Sequence, residues 1–124
     1  MELTNLISYD ILEDIAPNVK FFGIYNGHGC KGYEATVHFK KIMRMKLIED
    51  RNIISNFKEI KEVKLFFTEL FKSFQNEIPK DIPEFHYSGT CVIIVLIVNN
   101  KMFVINLGDS RCIVGQKKEK EKKY

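Results

Sequence analysis

The chain has 124 residues, 45% of them hydrophobic, and carries a formal charge of +3 at pH 7. That length suits one domain or part of a larger one, and that apolar content supports a packed core, so a disordered chain is excluded as the default. The segment Lys117–Lys123 holds five Lys and two Glu, which accounts for the whole net charge and leaves a neutral body, a poor signature for a nucleic-acid binder.

The N-terminal "MELTNLISYD" has no basic start followed by an apolar stretch, so no signal peptide is expected. The longest apolar run, Cys91 to Val98, is too short for a membrane-spanning helix. The three cysteines, Cys30, Cys91 and Cys112, are widely spaced and lack metal-type pairing, which fits reduced thiols in an intracellular protein, cytoplasmic or nuclear.

The first elements in chain order form a strand pair. "YDIL" and "VKFFGIY" flank "EDIAPN", where Pro17 and Asn18 carry turn chemistry. After Gly32 the period changes. Ala35, Phe39, Ile42, Met43 and Leu47 recur at three- and four-residue spacing, which predicts an amphipathic helix. A second helix is expected over roughly Ile53 to Phe74, with Phe57, Ile60, Phe67, Leu70, Phe71 and Phe74 as its apolar stripe, widened by Val63 and Phe66. A stripe of that kind is the packing face of a helix on a sheet.

"NEIPKDIPEFHY" reads as a loop with two prolines. "CVIIVLIV" is apolar without alternation, as expected of a strand buried on both faces. Asn99-Asn100 supplies a tight turn, "MFVIN" a partner strand, "LGDSR" a second turn and "CIV" a third strand. Residues 1–115 therefore form one unit, and residues 116–124 a Lys/Glu-rich solvated tail.

Two short segments have the residue types that chemistry needs. "NGHG" reads either as a hairpin turn or as a strand-to-helix turn whose glycines let the backbone approach a ligand; the segment after Gly29 has a helical pattern. Exposed carbonyls there can bind hard cations, and His28 can move a proton. "NLGDSR" reads either as a plain β-turn or as a strand end that delivers Asp109 to a metal.

Taken in order, "FFGIYNGHGC", "SGTCVIIVLIV" and "NLGDSR" with helices between the first two resemble the N-terminal half of the metal-dependent protein Ser/Thr phosphatases, the PPM or type 2C family. The resemblance covers about Phe21 to Val114. It implies an α+β fold, a partial αββα sandwich of antiparallel sheets with outer helices. It also implies hydrolysis of phosphoserine or phosphothreonine in a phosphoprotein by water activated between two cations, magnesium or manganese.

Residue by residue, the resemblance places Asn26 at the position of the metal-bridging Asp. Gly27 offers its backbone carbonyl to a metal, His28 is the general acid, and Asp109 faces a further metal position. Gly29, Ser88, Gly89, Thr90, Asn106, Gly108, Ser110 and Arg111 are structural parts of the motifs. The departures are chemical. Asn26 is neutral and cannot bridge two cations as a carboxylate does. Cys30 stands where the family has glycine, no Arg precedes Arg44, and Glu13-Asp14 lies only twelve residues before Asn26. The metal-binding Asp residues of the C-terminal half are not in the chain.

Three readings are open at the level of sequence: part of an active phosphatase completed by a missing half, a pseudophosphatase acting as a binding module, or an unrelated α/β binding domain. Half of a sandwich leaves a sheet face uncovered, so self-association or docking of a protein partner through that face is expected, with no nucleic acid and no membrane span involved.

Overall fold

The computed structural model describes residues 7–77, 89–107 and 115. The two-proline loop, the expected "CIV" strand and the Lys/Glu-rich tail lie outside the described residues, save for Asn76 and Glu77. The chain runs β1 (Ile7–Ala16), β2 (Val19–His28), α1 (Gly32–Glu49), α2 (Arg51–Ser55), α3 (Ile60–Glu77), β3 (Gly89–Val98) and β4 (Lys101–Leu107). The strands form one antiparallel sheet in the order β1-β2-β3-β4, and the helices pack on one of its faces. This is the expected α+β architecture, with one sheet and one helical layer among the described residues.

The first hairpin is longer than its sequence suggests. "EDIA" is not loop: β1 continues to Ala16 through an irregularity between Leu12 and Ala16, and only Pro17-Asn18 turn the chain. The extra residues of such a bulge restore the inward phase of the strand. Ile15 thereby returns to the core at 5% exposure, while Glu13 and Asp14 remain in solvent.

Alternation then sorts the side chains. Leu12, Phe21, Tyr25, Val92, Ile94, Leu96 and Phe103 point to the helices and are buried. α1 lays Ala35, Phe39, Met43 and Leu47 on them at four-residue steps, one face of a 3.6-residue helix. Phe39 is the hub: its ring meets Phe74 edge-on at 4.3 Å and lies 5.7 Å from both Tyr25 and Phe71. Burial of each such side chain contributes about 1.5–3 kcal/mol.

The expected second helix is two helices. α2 ends at Ser55, α3 begins at Ile60, and Phe57 between them is buried. The break falls at Ser55 and Asn56, whose side chains compete for backbone groups. The Asn56 Nδ2 donates to the Asn52 carbonyl at 2.7 Å and the Ser55 hydroxyl donates to the same carbonyl at 3.1 Å. Val63, Phe67, Leu70 and Phe74 form the buried stripe of α3, whereas Ile60 at its start is exposed.

Both hairpin turns meet at one end of the sheet. The Asn99 amide donates to the Asn18 carbonyl at 2.9 Å, and the Asn18 Nδ2 donates to the Ser55 carbonyl at 2.9 Å and to the Asn99 Oδ1 at 3.2 Å. Asn99 has φ 56°, the left-handed conformation that Asn tolerates and this turn requires. This clasp fixes one end of the sheet and leaves the opposite end, where β2 enters α1, for the site.

Candidate functional site

"NGHG" is a strand-to-helix turn. β2 runs through Asn26 and Gly27 to His28, and Gly29 turns the chain with φ 81°. The Gly32 amide closes the turn on the Gly29 carbonyl at 3.1 Å, and the Ala35 amide bonds the Lys31 carbonyl at 2.9 Å as α1 begins. Gly27 is required by close approach: a Cβ there would lie 2.4 Å from the Gly32 carbonyl oxygen and 2.7 Å from the Thr36 Oγ1. The strand therefore rests directly on the first turns of α1.

The same alternation that buries Tyr25 and Gly27 against α1 sends Asn26 and His28 to the opposite face, where both are exposed. Asn26 lies opposite Ile7 on β1 and Cys91 on β3, and His28 lies opposite Gly89. A Cβ on Gly89 would come within 3.1 Å of His28 Cε1 and Nε2, so the missing side chain of Gly89 makes room for the imidazole. Thr90 is half-buried opposite Gly27, its hydroxyl donating to the Cys91 carbonyl at 3.1 Å.

Other expected residues are elsewhere. Asn106 pairs with Ile93 and so stands level with Ile24, two strands from β2, roughly 10 Å away at the usual strand spacing. Glu13-Asp14 lies at the clasped end: Ile7 pairs with Asn26, and six residues of strand span roughly 20 Å. That pair is a surface feature of the β1 bulge. Ser88, Gly108, Asp109, Ser110 and Arg111 lie outside the described residues.

Among the described residues, the donors around Asn26 do not by themselves make a two-cation cage. They are an amide oxygen, the backbone of Gly27 and an imidazole, with Ile7 and Cys91 as cross-strand neighbours. Among the described residues no group of three His, Cys, Asp or Glu side chains could hold a metal ion. Hard divalent cations select charged oxygen ligands, and ligand charge sets their affinity.

A polar feature that sequence reasoning missed lies on the helix side. Asp10, opposite Gly23, is buried at 6% exposure. Arg44 of α1 reaches over the sheet edge to hold it, with Nη2 donating to Oδ1 at 2.6 Å and Nε to Oδ2 at 3.3 Å. This hydrogen bond to Asp10, and then its charge, raises the Arg44 pKa. Arg44 is thus committed to a structural pair on the face opposite Asn26. The phenol of Tyr25 is pushed well above the ordinary tyrosine value, first by burial and then by the Asp10 charge, with Arg44 opposing. The only sequence signal for the pair was the inward phase of Asp10, two residues before Leu12.

Comparison with known proteins agrees with the fold and the turn. The protein phosphatase 2C family model matches residues 2–124. The chain is similar to "Probable protein phosphatase 2C 35" of Arabidopsis thaliana, 31% identical over 101 residues, which cover 82% of this chain and 27% of that protein. It is similar to "Probable protein phosphatase 2C 42" of the same plant at 34% over 106 residues, covering 78% and 26% of the two chains. "Probable protein phosphatase 2C 3" of Paramecium tetraurelia is 32% identical over 113 residues, covering 82% and 35%. This chain belongs to the protein phosphatase 2C family, and its motifs are those of the N-terminal part of that domain. It spans about a quarter to a third of the length of these curated relatives.

Proposed function

We propose that this chain is a phosphatase 2C-like domain that, as it stands, binds protein rather than hydrolysing phosphoprotein: a pseudophosphatase module. One observation carries the reading. The position of the bridging carboxylate holds Asn26, and its neighbours across both strands, Ile7 and Cys91, supply no carboxylate in its place. Gly27 and His28 keep the form of the site, with the backbone close to α1 and the imidazole over Gly89. In the two-cation chemistry that the family implies, the metals generate the attacking water, so His28 as a proton donor has no nucleophile to assist without them. The partner class is a phosphoprotein or another protein inside the cell, met through the face on which Asn26 and His28 stand.

A second reading is favoured by the ordered motifs and by retained Gly27 and His28. In it the chain is part of an active magnesium- or manganese-dependent Ser/Thr phosphatase that further residues complete.

Phosphopeptide hydrolysis with added manganese or magnesium separates the two. The expected result is no turnover above buffer. EDTA-sensitive turnover that disappears in His28→Ala would overturn the binding-module reading. Calorimetry sharpens the site itself: Asn26→Asp places a charged oxygen on the open face and should strengthen manganese binding about tenfold or more, without restoring catalysis. Equal affinity in the two proteins would mean that this turn is no cation site.

A further inference from the structure

We propose that Asn26 is a self-modification site: it loses its side-chain amide through attack by the backbone of Gly27, and a carboxylate is left near the end of β2. The role of that carboxylate as a cation ligand rests on the reading of this turn as an altered cation site. The modification itself does not.

The chemistry needs an asparagine followed by a residue that does not obstruct it. The backbone nitrogen of Gly27 attacks the Asn26 Cγ and gives up its proton. The side-chain nitrogen takes up a proton and leaves as ammonia, and a five-membered imide ring closes. Water then opens the ring. The balance is amide and water to carboxylate and ammonium, with no oxidant or reductant. The product is Asp or its backbone isomer, isoaspartate. A Cβ on the second residue crowds the attack and limits the backbone, and glycine has none.

Asn26 is the one asparagine of the chain that precedes glycine; every other precedes a residue with a side chain. Its setting separates it as well. The Asn18 side chain is held by the Ser55 carbonyl and by Asn99, and the Asn56 side chain by the Asn52 carbonyl. Asn26 is exposed on the open face, and its amide has no hydrogen-bond partner among the described residues.

The fold enforces the labile pair. Position 27 has room only for glycine, because a Cβ there would lie 2.4 Å from the Gly32 carbonyl oxygen. The contact that seats β2 on α1 thus removes the side chain that would shield Asn26. Extended backbone holds the Gly27 nitrogen away from the Asn26 Cγ, so the reaction runs from a locally open state. β2 ends at His28 and Gly29 turns the chain at φ 81°, so Asn26 lies near a strand end, where opening costs least. Asn26 is therefore one hydrolysis away from the Asp that the family resemblance places at this position.

Peptide mapping by mass spectrometry on the aged full chain tests this. Trypsin releases Phe21–Lys31, in which Asn26 is the one side-chain amide. The expected result is a steady gain of the amide-to-acid mass in that peptide, faster at mildly alkaline pH. The native rate should lie within about a hundredfold of the rate in urea, as for local opening of a strand end. Asn26→Gln, whose longer side chain closes the ring poorly, should stay unconverted. A native rate more than about a thousandfold below the urea rate overturns the proposal, because Asn26 would then react only on global unfolding. Equal conversion of Asn26→Gln overturns it too, since the ring would not be the route. Protein converted to Asp should bind manganese about tenfold or more tighter than fresh protein. Unchanged affinity there overturns the ligand role alone, so the modification and the reading of this turn can fail separately.

Discussion

On the helix side of the sheet Phe21, Tyr25, Ile94 and Leu96 are fully enclosed; one residue along each strand, Phe22 and Val95 are half-buried and Ile24 is exposed. The two faces have nearly the same chemistry. What separates them is cover: α1 and α3 seat Phe39, Met43, Phe67 and Phe74 against one face, and no described element meets the other. The stability of the described unit therefore draws on one layer contact, while the other face carries the exposed apolar side chains of Tyr9, Ile11 and Ile24. Even the site obeys this division, with Gly27 packed against α1 and its neighbours Asn26 and His28 on the open side.

The largest effect should come from the hub of the covered face. Phe39→Ala removes the ring that joins Tyr25, Phe71 and Phe74 and should cost about 3–5 kcal/mol in urea unfolding. Ile24→Thr on the open face should change stability by no more than about 0.5 kcal/mol. Similar costs for the two would break the comparison.

The two glycines of the site should differ in the same sense. In Gly27→Ala the new methyl meets the Gly32 backbone and should cost roughly 1–3 kcal/mol. In Gly89→Ala it meets only the exposed His28 ring, which can swing away, so the cost should be within about 0.5 kcal/mol. The sign that the ring has moved is a shift of the His28 resonances in NMR spectra.

The smallest effect concerns Tyr25, whose hydroxyl is buried without a hydrogen-bond partner among the described residues. Tyr25→Phe should be neutral or stabilising by up to about 1 kcal/mol, because it removes an unsatisfied polar group. The raised pKa gives a pH signature. Its contribution is fully present below the ordinary tyrosine value of 10.0 and is lost as pH rises above it, because the unfolded chain ionises first. Stability should fall there by up to about 1.4 kcal/mol per pH unit, and Tyr25→Phe should flatten that fall. An identical alkaline slope in the variant would show that Tyr25 is not its source.

Much of the fold was legible because period is a local property. The stripe of Ala35, Phe39, Met43 and Leu47 marks α1, and the unbroken apolar run Cys91 to Val98 marks a central strand. Element bounds were less legible. β1 keeps its strand through "EDIA" because β2 holds it, and the helix breaks at Asn56 because Phe57 finds a buried place between α2 and α3. The family was legible as an ordered set of motifs, and the neutral amide at Asn26 as a departure from them. The Asp10–Arg44 pair was not, since the two residues are 34 apart in the chain and meet only when α1 crosses the sheet.

By itself the sequence determined the periods, the turn chemistry at Asn18 and Asn99, the family motifs and the identity of the residue at position 26, all of which depend on near neighbours. Tertiary structure decided which apolar face of the sheet was covered. It also decided that Gly27 would touch Gly32, that Gly89 would leave space for His28, and that Glu13-Asp14 would lie at the far end from Asn26. The physical reason is that pairing register and helix placement bring together residues tens of positions apart, and no local pattern encodes those distances.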